Sequence, residues 1–135
     1  MFRYHGWATL RNDPHNVDGP NLRRLVEELR QRIHTFGDGS GVTDIRAING
    51  RFHVWFSGSP NHRHNQIFGL FQLIAEMAPG SYGLLYVWDD GDEPHDNEFR
   101  VWRLLRGRVE EMADPFLSPC IPTIEDPYDP AKEID

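Results

Sequence analysis

The chain has 135 residues, a length typical of one domain that buries a core without a disulfide or a structural metal. Its formal net charge of −7, from 14 Lys and Arg against 21 Asp and Glu, argues against nucleic acid and anionic membranes as partners. A single cysteine, Cys120, excludes an intrachain disulfide and suits a reducing cytoplasm.

The first half of the chain predicts a strand, a helix and a hairpin. Alternating residues predict a strand at 2–11, and helical spacing predicts a helix at 21–36 with an apolar stripe of Leu22, Leu25, Val26, Leu29 and Ile33. Pro14 is expected to end the strand and Gly37 the helix. Strands at 42–48 and 51–57 flank Asn49-Gly50, a strong signal for a type I′ turn.

The second half predicts one more helix and three more strands. Ser59 as N-cap and Pro60 at the first position predict a helix at 59–78. Extended patterns follow at 81–88, at 97–105 and, after Arg106-Gly107, in a short strand at 108–112.

The element order is therefore β-α-β-β-α-β-β-β. It predicts an α+β domain over residues 1–126, with a single mainly antiparallel sheet and two helices packed on one face. The first six elements fit a ferredoxin-like arrangement.

The segment after Asp114 differs in character from the rest of the chain. Five prolines argue against a helix or a central strand there, yet apolar residues lie between them. We expect residues 114–126 to form an extended strap across the domain and residues 127–135 to be a polar, frayed tail. If the ring of Phe116 is fully buried, replacing it with Ala should cost about 3–5 kcal/mol, and the cost should be smaller if the ring is partly exposed.

Alternation along the strands also predicts two different sheet faces. One face is aliphatic and Phe-rich, as a face under helices should be, and includes Phe99, Val101 and Leu105. The other collects Trp, Tyr and His: His5, Trp7, His53, Trp55, Tyr82, Tyr86, Trp88 and Trp102. Two explanations stay open for this second face, since the strap or a partner would cover aromatic side chains of this kind. We expect the strap to cover part of it.

A loop dense with carboxylates joins two of the predicted strands. Its acidic residues are Asp89, Asp90, Asp92, Glu93 and Asp96, and Gly91 and Pro94 mark a turn. Charge alone slightly favours a solvated hairpin tip. The alternative is a loop that displays its charge to a cationic partner.

Motifs for chemistry are weak. His62-x-His64 has no third ligand at a convincing spacing, and the glycine of 90–96 is misplaced for a calcium loop. Cys120 has no nearby His to activate it and is expected to be an inert, partly buried thiol. With a single Lys, the chain also lacks the basic-aromatic pattern of single-strand RNA binders. We expect no catalysis, metal or cofactor; a carboxylate-based hydrolase using Asp89 or Asp90 stays an alternative.

Several segments together resemble a known family. The most specific are Pro-Gly-Ser-Tyr-Gly-Leu-Leu-Tyr at 79–86 and Leu-Ser-Pro-Cys-Ile-Pro at 117–122, with Tyr-His-Gly-Trp-Ala at 4–8. Their combination resembles immunity protein family seven, which protects bacteria from polymorphic secreted toxins. The resemblance implies a small, non-catalytic α+β protein of the cytoplasm. It would be made beside a toxin of contact-dependent or type VI-like delivery, and it would bind and silence that toxin in bacterial competition.

The resemblance directs the search for a site to protein contacts. We expect toxin binding at the acidic loop, with Tyr86, Trp88 and Trp102 as aromatic anchors. Since the chain is acidic, the expected partner is a basic toxin domain, such as a nuclease, rather than nucleic acid itself or a membrane. The N-terminus lacks the apolar core of a signal peptide, in keeping with the cytoplasm. A general protein-interaction adaptor stays an alternative, and the oligomeric state stays open.

Overall fold

The computed structural model describes residues 1–13, 19–34 and 41–132, without the side chains of residues 33 and 34. The strands are β1 (Phe2–Leu10), β2 (Gly41–Ile48), β3 (Arg51–Gly58), β4 (Tyr82–Asp89), β5 (Arg100–Leu105) and β6 (Arg108–Ala113). The helices are α1 (Pro20–His34), α2 (Gln66–Met77) and the four-residue α3 (Cys120–Thr123), with 3₁₀ turns at Glu93–His95 and Pro130–Lys132. The predicted terminators Pro14 and Gly37, the side chain of Ile33 and the last tail residues, 133–135, lie outside the described residues.

The strands form one six-stranded sheet in the order β2-β3-β1-β4-β5-β6, and every neighbouring pair is antiparallel. The predicted α+β class with a single antiparallel sheet is confirmed. Strands β1 and β2 run in the same direction with β3 between them, and β3 and β4 do so with β1 between them. These are the split β-α-β connections of a ferredoxin-like arrangement, with β5 and β6 added beyond β4.

The helices pack on the sheet face that carries the even-numbered residues of β1. Phe2, Tyr4, Ala8 and Leu10 belong to one core cluster with residues of both helices. Leucines recur on α1 at helical spacing, so one stripe meets the sheet. The most deeply buried helix residues are Leu22, Leu25, Leu29, Ile67, Leu70, Phe71 and Ile74. No helix in the described ranges is long and apolar enough to cross a membrane.

Two tight turns join neighbouring strands. Asn49 and Gly50 have φ of 51° and 80°, as the predicted type I′ turn requires, and Ile48 pairs with Arg51 across it. Arg106 and Gly107 have φ of 49° and 73° and join β5 to β6 in the same way.

The predicted start of the second helix is wrong. Helix α2 begins at Gln66 instead of Ser59. Pro60 is buried, and its carbonyl accepts a hydrogen bond from the backbone N–H of Phe2 at 3.3 Å. The chain must pass the start of β1 before it can turn into the helix. A tertiary contact therefore overrides the local cap signal.

The predicted faces of β5 are also wrong. Trp102 lies opposite Leu85 on the helix side of the sheet, and its ring centroid is 4.6 Å from that of Phe68. Val101 instead lies opposite Tyr86 on the second face. Apolar residues occupy both sides of this strand, so its own pattern could not decide between the faces. The register with β4 decides it.

The C-terminal segment is fixed by two polar side chains. Asn97 accepts a hydrogen bond from the N–H of Ile121 at 2.8 Å, and its amide donates to the carbonyl of Ile121 at 3.0 Å. The carboxylate of Asp114, which is 5% exposed, accepts hydrogen bonds from the N–H groups of Phe116 and Leu117 and from the hydroxyl of Ser118. These contacts hold residues 114–121 against the start of β5.

The same segment covers one end of the second sheet face. Trp88, Phe99 and Cys120 form a second buried cluster, and Tyr86 packs against it. Cys120 is fully buried rather than partly buried. The expectation of a wholly extended segment fails in part, because residues 120–123 form a short helical turn, within which Ile121 itself is extended (φ −109°, ψ 117°). Phe116 is 75% exposed, so the smaller cost expected for an exposed ring applies to its replacement.

Burial in this cluster changes two titrating groups. It raises the pKa of the Cys120 thiol, and the charges of Asp114 and Glu125 add to the effect. Burial also raises the pKa of Tyr86, followed by the charge of Asp114 and its hydrogen bond with the Tyr86 hydroxyl. Both groups are therefore held in their neutral forms in the folded state.

We expect Asn97→Ala to lower the free energy of unfolding by about 1–3 kcal/mol, because it leaves partly buried backbone groups of Ile121 without partners. Phe116→Ala should change it by less than about 0.5 kcal/mol, because that ring is mostly exposed. Urea denaturation measures both. A large loss for Phe116→Ala and none for Asn97→Ala would contradict the anchoring by Asn97.

We further expect stability to depend on Tyr86 at alkaline pH. Because the folded pKa is raised, the contribution is fully present below the unfolded value of about 10 and is lost as pH rises through the folded pKa. Tyr86→Phe should therefore make the free energy of unfolding fall less steeply above pH 10 than in the wild type. Urea titrations across that range measure the slope, and equal slopes would contradict the raised pKa of Tyr86 in the folded state.

Candidate functional site

The acidic loop between β4 and β5, residues 89–98, is an ordered turn. The carbonyl of Asp89 accepts a hydrogen bond from the N–H of Asp92 at 3.2 Å, and the carbonyl of Asp92 accepts one from the N–H of His95 at 2.8 Å. The side chain of Asp89 accepts another from the N–H of Gly91 at 3.0 Å. The backbone itself therefore fixes where the loop carboxylates lie.

Two of the five predicted carboxylates are engaged inside the protein. Asp89 accepts a hydrogen bond from the guanidinium of Arg63 at 3.2 Å, and its side chain is only 15% exposed. Asp90 pairs with the N-terminal ammonium of Met1 at 2.5 Å. These two residues tie the loop to the rest of the domain, so much of their charge is already balanced.

The other three carboxylates are different. Asp92, Glu93 and Asp96 take part in no ion pair within residues 1–13, 19–34 and 41–132. Glu93 and Asp96 are exposed, and Asp92 is half-buried. Three negative charges within five residues are thus presented to the solvent, where they attract a cationic surface.

The predicted aromatic anchors do not all lie at this loop. Trp88 is 5% exposed, its indole N–H donates to the carbonyl of Asp96 at 2.9 Å, and the guanidinium of Arg3 lies 5.3 Å from its ring. It supports the loop from beneath. Tyr86 is half-buried and bonded to Asp114, whereas Trp102 lies on the opposite face of the sheet.

A second surface has the exposure that an anchor needs. Trp7 of β1 and Trp55 of β3 lie directly opposite each other and are 40% and 39% exposed. Tyr82 packs edge-on against Trp7 at 5.9 Å between ring centroids, and His53 stacks on Trp55 at 5.8 Å. We call these four residues the aromatic face.

The alternation along the strands correctly predicted that Trp7 and Trp55 lie on this side of the sheet. The residues predicted as anchors, however, were Tyr86, Trp88 and Trp102. The C-terminal segment reaches Trp88, Phe99 and Tyr86, whereas Trp7 and Trp55 stay 40% and 39% exposed. Which aromatics it covers depends on the register of β4 with β1, and this is a property of the folded sheet.

Sites for small ligands or metals have little support in the described part of the chain. No three His, Cys, Asp or Glu side chains there are placed to share a metal ion. Four clefts have volumes of 290–400 Å³, and none of the four is lined by a carboxylate of the acidic loop.

Comparison with known proteins agrees with the resemblance in the sequence. The search of curated proteins and the search of solved structures each returned no match. The family model described as Immunity protein 7 matches residues 1–126, which is nearly the whole chain. The chain therefore belongs to the Immunity protein 7 family.

Proposed function

We propose that this protein neutralises a cognate bacterial toxin by binding it, and that it has no catalytic activity of its own. The observation that carries the proposal is the match to the immunity family over residues 1–126. The protein would act in the cytoplasm, in a polymorphic toxin system of the contact-dependent or a related kind.

The charges indicate the chemistry of the partner. The chain has a net charge of −7, and Asp92, Glu93 and Asp96 form no ion pair with any residue that the structure describes. A basic toxin domain would complement this loop, and toxin domains that cut nucleic acid are basic because they bind phosphates. Attraction between opposite charges would speed the encounter of the two proteins.

The two candidate residues of the hydrolase alternative, Asp89 and Asp90, are engaged in other contacts. Asp89 already accepts hydrogen bonds from Arg63 and from the backbone of Gly91, and Asp90 pairs with the N-terminus. Neither lines any of the four clefts. A role for these two carboxylates in holding the loop accounts for their positions without a reaction.

The function itself is tested by co-expression in cells. The toxin domain encoded next to this gene should stop growth when expressed alone, and co-expression of this chain should restore it. Growth arrest that persists in the presence of folded, soluble chain would overturn the proposed function. A general adaptor would instead bind several unrelated proteins with similar affinity in a purified panel.

The loop is tested with the triple variant Asp92→Asn, Glu93→Gln and Asp96→Asn. We expect association with the toxin to slow by roughly tenfold at low salt, because the steering charge is lost, with little change in the dissociation rate. The fold should be unaffected, because none of the three carboxylates has an ion-pair partner in the described ranges. Stopped-flow mixing at low and physiological salt measures both rates.

The matched control removes the same charge from the helices. Glu27→Gln, Glu28→Gln and Glu76→Gln change three exposed carboxylates on the opposite side of the sheet. Equal slowing in both triple variants would assign the effect to net charge rather than to the loop. Wild-type rates in the loop variant would place the contact elsewhere, for example on the outer face of α1, where Arg23, Arg24 and Arg30 are exposed.

A further inference from the structure

We propose that the cognate toxin docks on the aromatic face, with Trp7 and Trp55 as the central anchors and the acidic loop at the edge of the same interface. This inference rests on the proposed function and adds to it the surface that carries most of the affinity. It replaces the predicted anchors Trp88 and Trp102 with two residues that are accessible.

The second face of the sheet is incompletely covered by the described residues. The helices bury one face, and among the described residues the C-terminal segment covers the other near Trp88 and Phe99. Trp7 and Trp55 lie on β1 and β3, which are inner strands of the sheet rather than its edges. Two adjacent tryptophans on a rigid inner position, each about 40% exposed, are uncommon on a protein surface without a binding role.

Neighbouring side chains hold the two exposed tryptophans in place. The ring of Tyr82 braces Trp7, the ring of His53 lies on Trp55, and the guanidinium of Arg11 lies 4.9 Å from the ring of Tyr82. The indoles are thus held in place before any partner arrives, which reduces the entropy lost on binding. In contrast to Trp88, neither indole N–H has a hydrogen-bond acceptor among the described residues, so both are available to a partner.

Charged residues form a rim around the aromatic face. Asp44 lies opposite Trp55 and is bonded to Arg46 at 2.7 Å, and Arg103 lies opposite Leu84 and is bonded to Glu110 at 3.1 Å. Asp44 and Arg103 are therefore each paired with a charge of the opposite sign within the chain. An aromatic centre inside a polar rim is the usual anatomy of a protein interface and of its hot spots.

The distance between the aromatic face and the acidic loop indicates which partner would bind here. Trp7 lies opposite Leu84, and four residues further along β4 is Trp88, whose indole holds Asp96 of the acidic loop. At roughly 3.3 Å per residue the separation is about 13 Å. A standard interface of about 800 Å² on each partner covers both features. A basic toxin with an apolar recess fits the two together, whereas a second copy carries the same net charge of −7 and is repelled.

The main test measures binding of two separate variants, Trp7→Thr and Trp55→Thr, in which a β-branched residue keeps strand propensity. We expect each variant to dissociate from the toxin roughly 100-fold faster, with association nearly unchanged, as for a truncated hot spot. The control Phe116→Ala removes a more exposed ring that lies off the sheet, and it should dissociate at the wild-type rate.

The outcomes separate this inference from the function. If the wild-type chain does not bind the toxin, the proposed function fails. If the wild type binds and the Trp variants dissociate at its rate, only the docking surface is overturned, and an equal effect in the Phe116 control also overturns it. A dimer of the isolated chain in sedimentation velocity that the Trp variants abolish would assign the face to a second copy instead.

A second measurement uses the wild-type chain, so it does not depend on whether a variant folds. Oxidative footprinting of the wild-type chain should label Trp7 and Trp55 and leave Trp88 nearly unlabelled, in line with their exposure. Adding the toxin domain should protect Trp7 and Trp55, while Phe116 keeps its labelling. Unchanged labelling of both tryptophans in the saturated complex would overturn the proposal.

Discussion

The structure depends on the pairing of β1 with both of its neighbours. This strand is in register with β3 from Tyr4 to Leu10 and with β4 from Phe2 to Thr9, so its side chains are assigned to the two faces without ambiguity. The close approach to β4 needs Gly83, because a Cβ there would collide with the carbonyl oxygen of Trp7. Any shift of one residue would exchange the core side chains of β1 for its polar and aromatic ones.

This pairing gives the sheet two faces that are covered to different extents. The helix side is closed by α1 and α2 and supplies most of the buried residues. Within the described part of the chain, the other side is covered by the C-terminal segment, which Asn97 and Asp114 hold at one end. The exposed side chains of the middle strands and the acidic loop are left as neighbouring surfaces of this member of the Immunity protein 7 family.

How far the sequence reaches can be judged from particular residues. Alternation and helical spacing predicted the strands and the single antiparallel sheet, and Asn49-Gly50 predicted its turn, because these signals are local. The start of α2 was predicted wrongly because the carbonyl of Pro60 accepts a hydrogen bond from Phe2, which is far away in the chain. Trp102 was placed on the wrong face because β5 is apolar on both sides.

The candidate site shows the same division. The sequence found the acidic loop as a cluster, but it could not tell which carboxylates are engaged, because their partners Arg63 and Met1 are 26 and 89 residues away. Burial of Trp88 under the C-terminal segment was equally invisible. Long-range pairing decides which members of a local cluster remain available.

The division of labour within the acidic loop has a consequence for how such proteins diversify. Asp89, Asp90 and the backbone hydrogen bonds hold its shape, while Asp92, Glu93 and Asp96 make no ion pair within the described chain. If the loop contacts a toxin as proposed, substitutions at the latter three positions would change partner choice at little expense in folding. Charge patterns could then vary there while the scaffold stays constant, so specificity and stability would be free to evolve separately.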